Sequence, residues 1–185
     1  MNVDDLGDRW ERLWTPHRMA YLAGESRPTH DEPGEDCPFC RAPGQSDSAG
    51  LIVHRGELAY AVLNLFPYNS GHLLICPYRH VPHYDDLSAA EVAEVGALTQ
   101  VSMRVLRRCS RAHGFNIGMN QGSVGGAGIA GHLHQHVVPR WGGDTNFMPI
   151  IARTKTMAQL LGETQQLLAQ AWVEDENLPA PPAEA

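Results

Sequence analysis

His132-Leu133-His134-Gln135-His136-Val137-Val138-Pro139 alternates histidine with other side chains, then runs into two valines and a proline, the pattern of a β-strand ended by a residue without an N–H. In a strand over residues 132–138 the three imidazoles share one face and span about 13 Å, about the reach of a polyphosphate linkage. Ten histidines among 185 residues make such a run a disfavoured coincidence. Two chemistries use a row of this kind. Neutral imidazoles ligate metal. Alternatively, one ring nitrogen takes a phosphoryl or nucleotidyl group while its neighbours bind oxygens and protonate the leaving group. The preceding Asn120-Gln121-Gly122-Ser123-Val124-Gly125-Gly126-Ala127-Gly128-Ile129-Ala130-Gly131 favours the second, because its five glycines let backbone N–H groups approach phosphate oxygens. An all-histidine metal site does not need that loop.

Outward from this stretch, residues 115–120 read as another strand. Ser88-Ala89-Ala90-Glu91 is a capping box, and Val92, Val95, Leu98, Val101, Val105 and Cys109 then line one face of a long helix. Residues 51–53 and 58–63 flank Arg55-Gly56-Glu57 as a hairpin, and residues 72–76 form a strand closed by Pro77. The expected fold is α+β: an antiparallel sheet of about five strands, one long helix and a C-terminal helix over residues 155–172 carrying Met157, Leu160, Leu161, Leu167 and Leu168. Near the start, Leu6, Trp10, Leu13, Trp14 and Met19 approximate helical spacing, interrupted by Pro16. Residues 24–50 read as a long Gly/Pro-rich loop. The expected organisation is an N-terminal helix and loop over 1–50, a catalytic domain over 51–173 and a disordered acidic, Pro/Ala-rich tail over 174–185.

The 14 Lys and Arg against 21 Asp and Glu leave a net charge of −7, with basic residues dispersed along the chain, so nucleic acid is not an expected partner. Apolar runs are far too short to span a bilayer. A basic region followed by an apolar stretch does not open the chain, and four cysteines do not make a secreted disulfide framework, so a reduced, cytoplasmic setting is expected.

His132-Leu133-His134-Gln135-His136-Val137-Val138 resembles the His-φ-His-φ-His-φ-φ signature of the histidine triad (HIT) family, φ being apolar. The resemblance extends over residues 51–141, through L-N-L-F-P-Y-N-S-G-H-L-L-I-C-P and M-N-Q-G. The flanking R-L-W-T-P-H-R-M-A-Y and P-R-W-G-G-D-T-N-F resemble a branch that phosphorolyses diadenosine tetraphosphate. Two departures stand out: Gln135 replaces an apolar residue on the face opposite the histidines, and Gly126-Ala127-Gly128 stands in a longer loop where the family keeps Gly-Gln-Ser/Thr.

The resemblance implies a HIT-like fold and a nucleotidyl-histidine intermediate. His134 would be the nucleophile, unprotonated at one nitrogen while the other donates to a backbone carbonyl. His136 would contact the phosphate or bridging oxygen. Asn64 would lie near the ribose and His72 near the phosphates. Asn120 and the amides of Gly126, Ala127 and Gly128 would hold the transferred or attacking phosphate, and Trp141 would either shield the site or simply pack. The expected reaction is phosphorolysis of diadenosine tetraphosphate to ATP and ADP by inorganic phosphate. Three alternatives stand beside it: hydrolysis of dinucleoside polyphosphates or phosphoramidates, nucleotide binding with negligible turnover, and metal-dependent hydrolysis on the three histidines. A homodimer joining two sheets is likewise implied by the resemblance.

Cys37-Pro38-Phe39-Cys40 has the C-x-x-C spacing of a zinc chelate, but supplies two of four ligands. Free thiols or a redox pair are the alternatives. The resemblance completes the set with His80 and His132, His83 being the local competitor of His80, as a structural zinc site that leaves His134 and His136 for chemistry. Cys76 and Cys109 read as core thiols.

Overall fold

Hairpin, capping box and strand signals organise the computed structural model, which describes residues 32–144 and 160–176. The helical spacing at 6–22, residues 155–159 of the second helix and the tail from 177 lie outside the described residues. Strands β1 Ile52–Arg55, β2 Ala59–Leu63, β3 Leu73–Pro77, β4 Gly114–Met119 and β5 Gln135–Arg140 form one sheet in the order β1-β2-β3-β5-β4. Every pairing is antiparallel. At the first hairpin the Glu94 carboxylate accepts from the amides of Glu57 and Leu58, at 2.7 and 2.5 Å. Any Cβ at Gly56 would collide with that carboxylate and lie 2.8 Å from Ala59 O, so the turn requires glycine.

The long helix, Ala89–Ser110, carries the expected capping box between Ser88 and Glu91. Val95, Leu98, Val105 and Leu106 are buried against Ala61, Leu63, Leu73, Ile75 and Val137 on one sheet face. The C-terminal helix, Leu161–Glu176, packs Leu168, Ala171 and Trp172 into the same core. It runs past the expected end at 172. Asp175 is buried and salt-bridged to Arg104 at 2.9 Å, so residues 174–176 belong to the helix and not to a disordered tail.

Two further expectations are corrected. Residues 37–50 are not loop throughout: Pro38–Arg41 and Asp47–Gly50 are short α-helices joined by a 3-10 turn at Ala42–Gly44. Pro38 and Ser46 supply the starts, as a first-turn proline and an N-cap. Secondly, the triad strand begins at Gln135, because Leu133 N–H donates to Val81 O at 2.7 Å and residues 132–134 leave the ladder. Pro77 and Pro139 lie inside strands instead of after them. The β3–β5 pairing spans Leu73–Val137 to Ile75–Gln135, so each proline stands beyond it, where its strand has a neighbour on one side only.

Candidate active site and metal centre

The sheet face away from the long helices carries the histidines. His136 lies opposite Leu74 on β3 and Gly118 on β4. Among the described residues nothing lies within 4 Å of where a Cβ of Gly118 would stand, so they leave this flank of His136 open. Gln135 points the other way and donates to Thr99 Oγ1 on the capped helix, as its strand position required. His134, just before β5, packs its ring 5.0 Å from His136 and 4.8 Å from Phe39. His134 Nδ1 sits 2.8 Å from His132 O. A carbonyl only accepts, so Nδ1 carries the proton and Nε2 keeps its lone pair.

A second set of bonds fixes His136. The Tyr68 amide donates to His72 Nδ1 at 3.0 Å, so that nitrogen is unprotonated and His72 Nε2–H donates to His136 Nδ1 at 2.9 Å. In the neutral ring the His136 proton then resides on Nε2, which is buried with no hydrogen-bond partner among the described residues. The arrangement presents one lone pair and one N–H on adjacent rings. Burial holds His134 below the ordinary histidine range, and burial, with His134 nearby, brings His136 down to about 4, so both rings are neutral at pH 7. Tyr68, a role not read from the sequence, also sets its ring tilted 4.9 Å from His72 and stacked 5.7 Å from His136.

Asn64 joins this group, its Nδ2 being 3.3 Å from His72 Nδ1 while its Oδ1 accepts from Phe66 N at 3.0 Å. Asn120 follows β4 directly, one residue beyond the Met119–Gln135 pairing. Gly126 takes φ +85, and its amide and that of Ala127 turn back to Ser123 O and Gly122 O at 3.2 and 3.3 Å. Two of the expected phosphate donors are thus engaged in long bonds within the loop. Trp141 does not cover the triad: its Nε1 donates to Ser110 O at the end of the Ala89–Ser110 helix. Asp144, four residues after Arg140, was also missed. It pairs with that guanidinium at 2.6 Å and accepts from Asn69 Nδ2 at 2.9 Å, tying the loop before His72 to the end of β5.

Cys37, Cys40, His80 and His132 converge, with all four ligand atoms within 4.8 Å of one another. Cys37 Sγ is 3.4 Å and Cys40 Sγ 3.5 Å from His132 Nδ1, and Cys40 Sγ is 3.2 Å from His80 Nδ1. His132 Nε2 donates to Pro77 O at 2.9 Å, which leaves Nδ1 with its lone pair toward the sulfurs. The four can therefore share a metal ion. His83 is exposed and outside the group. A metal held jointly by the three triad histidines does not fit, since His132 turns its free nitrogen to the cysteines and His134 gives its Nδ1 to a carbonyl. Cys76 is buried in the sheet and Cys109 packs at the edge of the core.

The HIT domain family model matches residues 45–143. The AP-4-A phosphorylase of Mycobacterium tuberculosis is 51% identical over 169 residues, which cover 89% of this chain and 86% of that protein. A bifunctional bis(5'-adenosyl)-triphosphatase/adenylylsulfatase of Arabidopsis thaliana is 34% identical over 93 residues, about half of each chain, at 50% and 51%. Among solved structures, a Zn-bound histidine triad family protein from Mycobacterium smegmatis superposes with a TM-score of 0.61 at 26% identity, covering 76% of this chain and 95% of that one. No helix among the described residues is long and apolar enough to cross a membrane.

Proposed function

The chain belongs to the HIT family, and on that premise we propose that it is an enzyme transferring a nucleotidyl group through His134, cleaving diadenosine tetraphosphate with inorganic phosphate to ATP and ADP. The observation carrying this reading is the paired tautomers: a lone pair on His134 Nε2 beside an unpartnered N–H on His136 Nε2. His134 Nε2 attacks the α-phosphorus, a P–N bond forms, and the bond to the bridging oxygen breaks to release ATP. The His136 N–H hydrogen-bonds that oxygen as its charge develops. The charge gained by the His134 ring is offset by its Nδ1–H bond to the His132 carbonyl. A phosphate oxygen then attacks the same phosphorus, the P–N bond breaks with its electron pair returning to Nε2, and ADP departs. The substrate follows the 51% identical phosphorylase, and on the family resemblance Asn64 is assigned to the ribose and Asn120 to the transferred or attacking phosphate.

The metal assigned to Cys37, Cys40, His80 and His132 is zinc. Tetrahedral zinc places neighbouring sulfur and nitrogen ligands about 3.6 Å apart, close to the 3.2–3.5 Å separations found here. Bound there, it would supply a structural cross-link and no reacting group. Two copies joining their sheets along β4, the edge strand next to β5, would make the homodimer.

The test is incubation with diadenosine tetraphosphate, with and without inorganic phosphate, beside His134→Ala. ATP plus ADP only with phosphate and only in the wild type is the expected result. ATP plus AMP without phosphate makes it a hydrolase, and binding without turnover makes it a regulatory protein.

A further inference from the structure

Gln121 is exposed and lies outside the histidine constellation, yet its Oε1 accepts from the Tyr84 amide at 2.8 Å, across 37 residues of sequence. Tyr84 stands in a braced segment. Arg79 grips Glu91 at 2.8 and 3.0 Å and the Asp86 carbonyl at 2.7 Å, Val81 O receives the Leu133 amide, and Tyr84–Asp86 form a 3-10 turn. The segment is thereby fixed to the capped helix and to the residue between His132 and His134. Gln121 occupies the other end, between Asn120 and the glycine-rich loop. Gly125 folds back so closely over the Gln121 backbone that any Cβ would collide with the Gln121 carbonyl. The loop therefore rests on Gln121, and the Gln121 side chain rests on the braced segment.

We propose that Gln121 is a positioning residue for the acceptor: its bond to the Tyr84 amide sets the height of the loop at residues 122–128, and so the affinity for inorganic phosphate, without touching the nucleotide. This rests on the reading that the loop and Asn120 receive the acceptor phosphate. An amide–carbonyl bond at an exposed site has a modest net worth, so its loss is expected to raise the KM for phosphate about three- to tenfold.

Tyr84 offers an independent way to cut the bond. It is the first residue of its 3-10 turn, and His83 before it is extended at φ −123 and ψ 151, a conformation that a following proline accepts. Tyr84→Pro removes the N–H and keeps the turn, whereas Tyr84→Ala keeps the N–H and removes only the ring. Gln121→Ala removes the acceptor. Gln121→Glu keeps an acceptor oxygen but adds charge near an anion, so it is judged by hydrogen exchange alone.

The experiment measures amide hydrogen exchange over residues 122–128 by mass spectrometry, and steady-state kinetics against phosphate and against diadenosine tetraphosphate. Faster loop exchange is expected in Gln121→Ala and Tyr84→Pro, with wild-type exchange in Gln121→Glu and Tyr84→Ala. The same two variants should raise the KM for phosphate, leave that for the dinucleotide unchanged, and cost no more in combination than singly. Unchanged exchange in Gln121→Ala overturns the strut whatever turnover does. Faster exchange with an unchanged KM for phosphate overturns its role toward the acceptor. A wild type that needs no phosphate overturns both that role and the phosphorylase reading, while the exchange result still decides the strut.

Discussion

An imidazole serves as a nucleophile only when its lone pair is both available and aimed. At His134 burial provides the first and the carbonyl of His132 the second. This gives a pH signature. Because the folded protein holds His134 below the ordinary histidine range, the acid limb of kcat/KM is expected below pH 6.5, read from initial rates between pH 4 and 8. His136 gives a matching stability signature. Its value falls from 6.5 to about 4 on folding, so between those limits the unfolded chain binds more protons. Its contribution is in place above pH 6.5 and is lost as the pH falls toward 4, which urea titrations of wild type and His136→Gln at pH 7 and pH 5 would register as a smaller acid penalty in the variant. That His134 and His136 would stand side by side was legible in the sequence, because alternation is a period-2 signal. Which nitrogen of His132 and of His136 is protonated was not legible, since it depends on Pro77, Tyr68 and His72, far away along the chain, whereas His134 finds its carbonyl two residues back.

Among the elements, the helix Ala89–Ser110 was the most legible, because caps and apolar spacing are local. Its capping box also holds a distant charge. Glu91 accepts from the Ser88 amide while gripping Arg79, and the Arg79 bonds, with the Ser88 amide, bring its carboxyl down to about 2. Ser88→Ala is expected to destabilise by about 1 kcal/mol in urea unfolding. The Glu91 contribution is present above pH 4.5 and fades as the pH falls toward 2, a dependence that Glu91→Gln should abolish in acid titrations followed by circular dichroism. The boundaries of β5 were illegible for the opposite reason. Residues 132–134 have strand-like composition, but the Val81 carbonyl takes the Leu133 amide out of the ladder, a long-range competition that no local pattern reports. The short helices in 37–50 were hidden by their glycine- and proline-rich composition. Trp141 was undecidable from sequence and turned to the helix end.

Across the whole molecule the larger core lies under the two long helices, while the other face of the sheet carries the triad histidines beside a second apolar cluster that includes Tyr60, Val62, Leu74 and Cys76. Leu168→Ala in that core is expected to cost about 2–5 kcal/mol in global stability, with KM for the substrates unchanged. The Cys37–Cys40 segment closes the opposite side, with Phe39 against His132 and His134. Chelation, or Cys40→Ser, is therefore expected to lower the melting temperature and the bound zinc together, read by calorimetry and metal analysis, with activity falling in step. Neighbouring residues of β5 look in opposite directions, Gln135 to the Ala89–Ser110 helix and His136 to the open face. Heredity can therefore edit the two sides separately. On such a strand a change beneath the helices need not turn the imidazoles, and relatives of this chain carry names for acts as different as a phosphorylase and a triphosphatase.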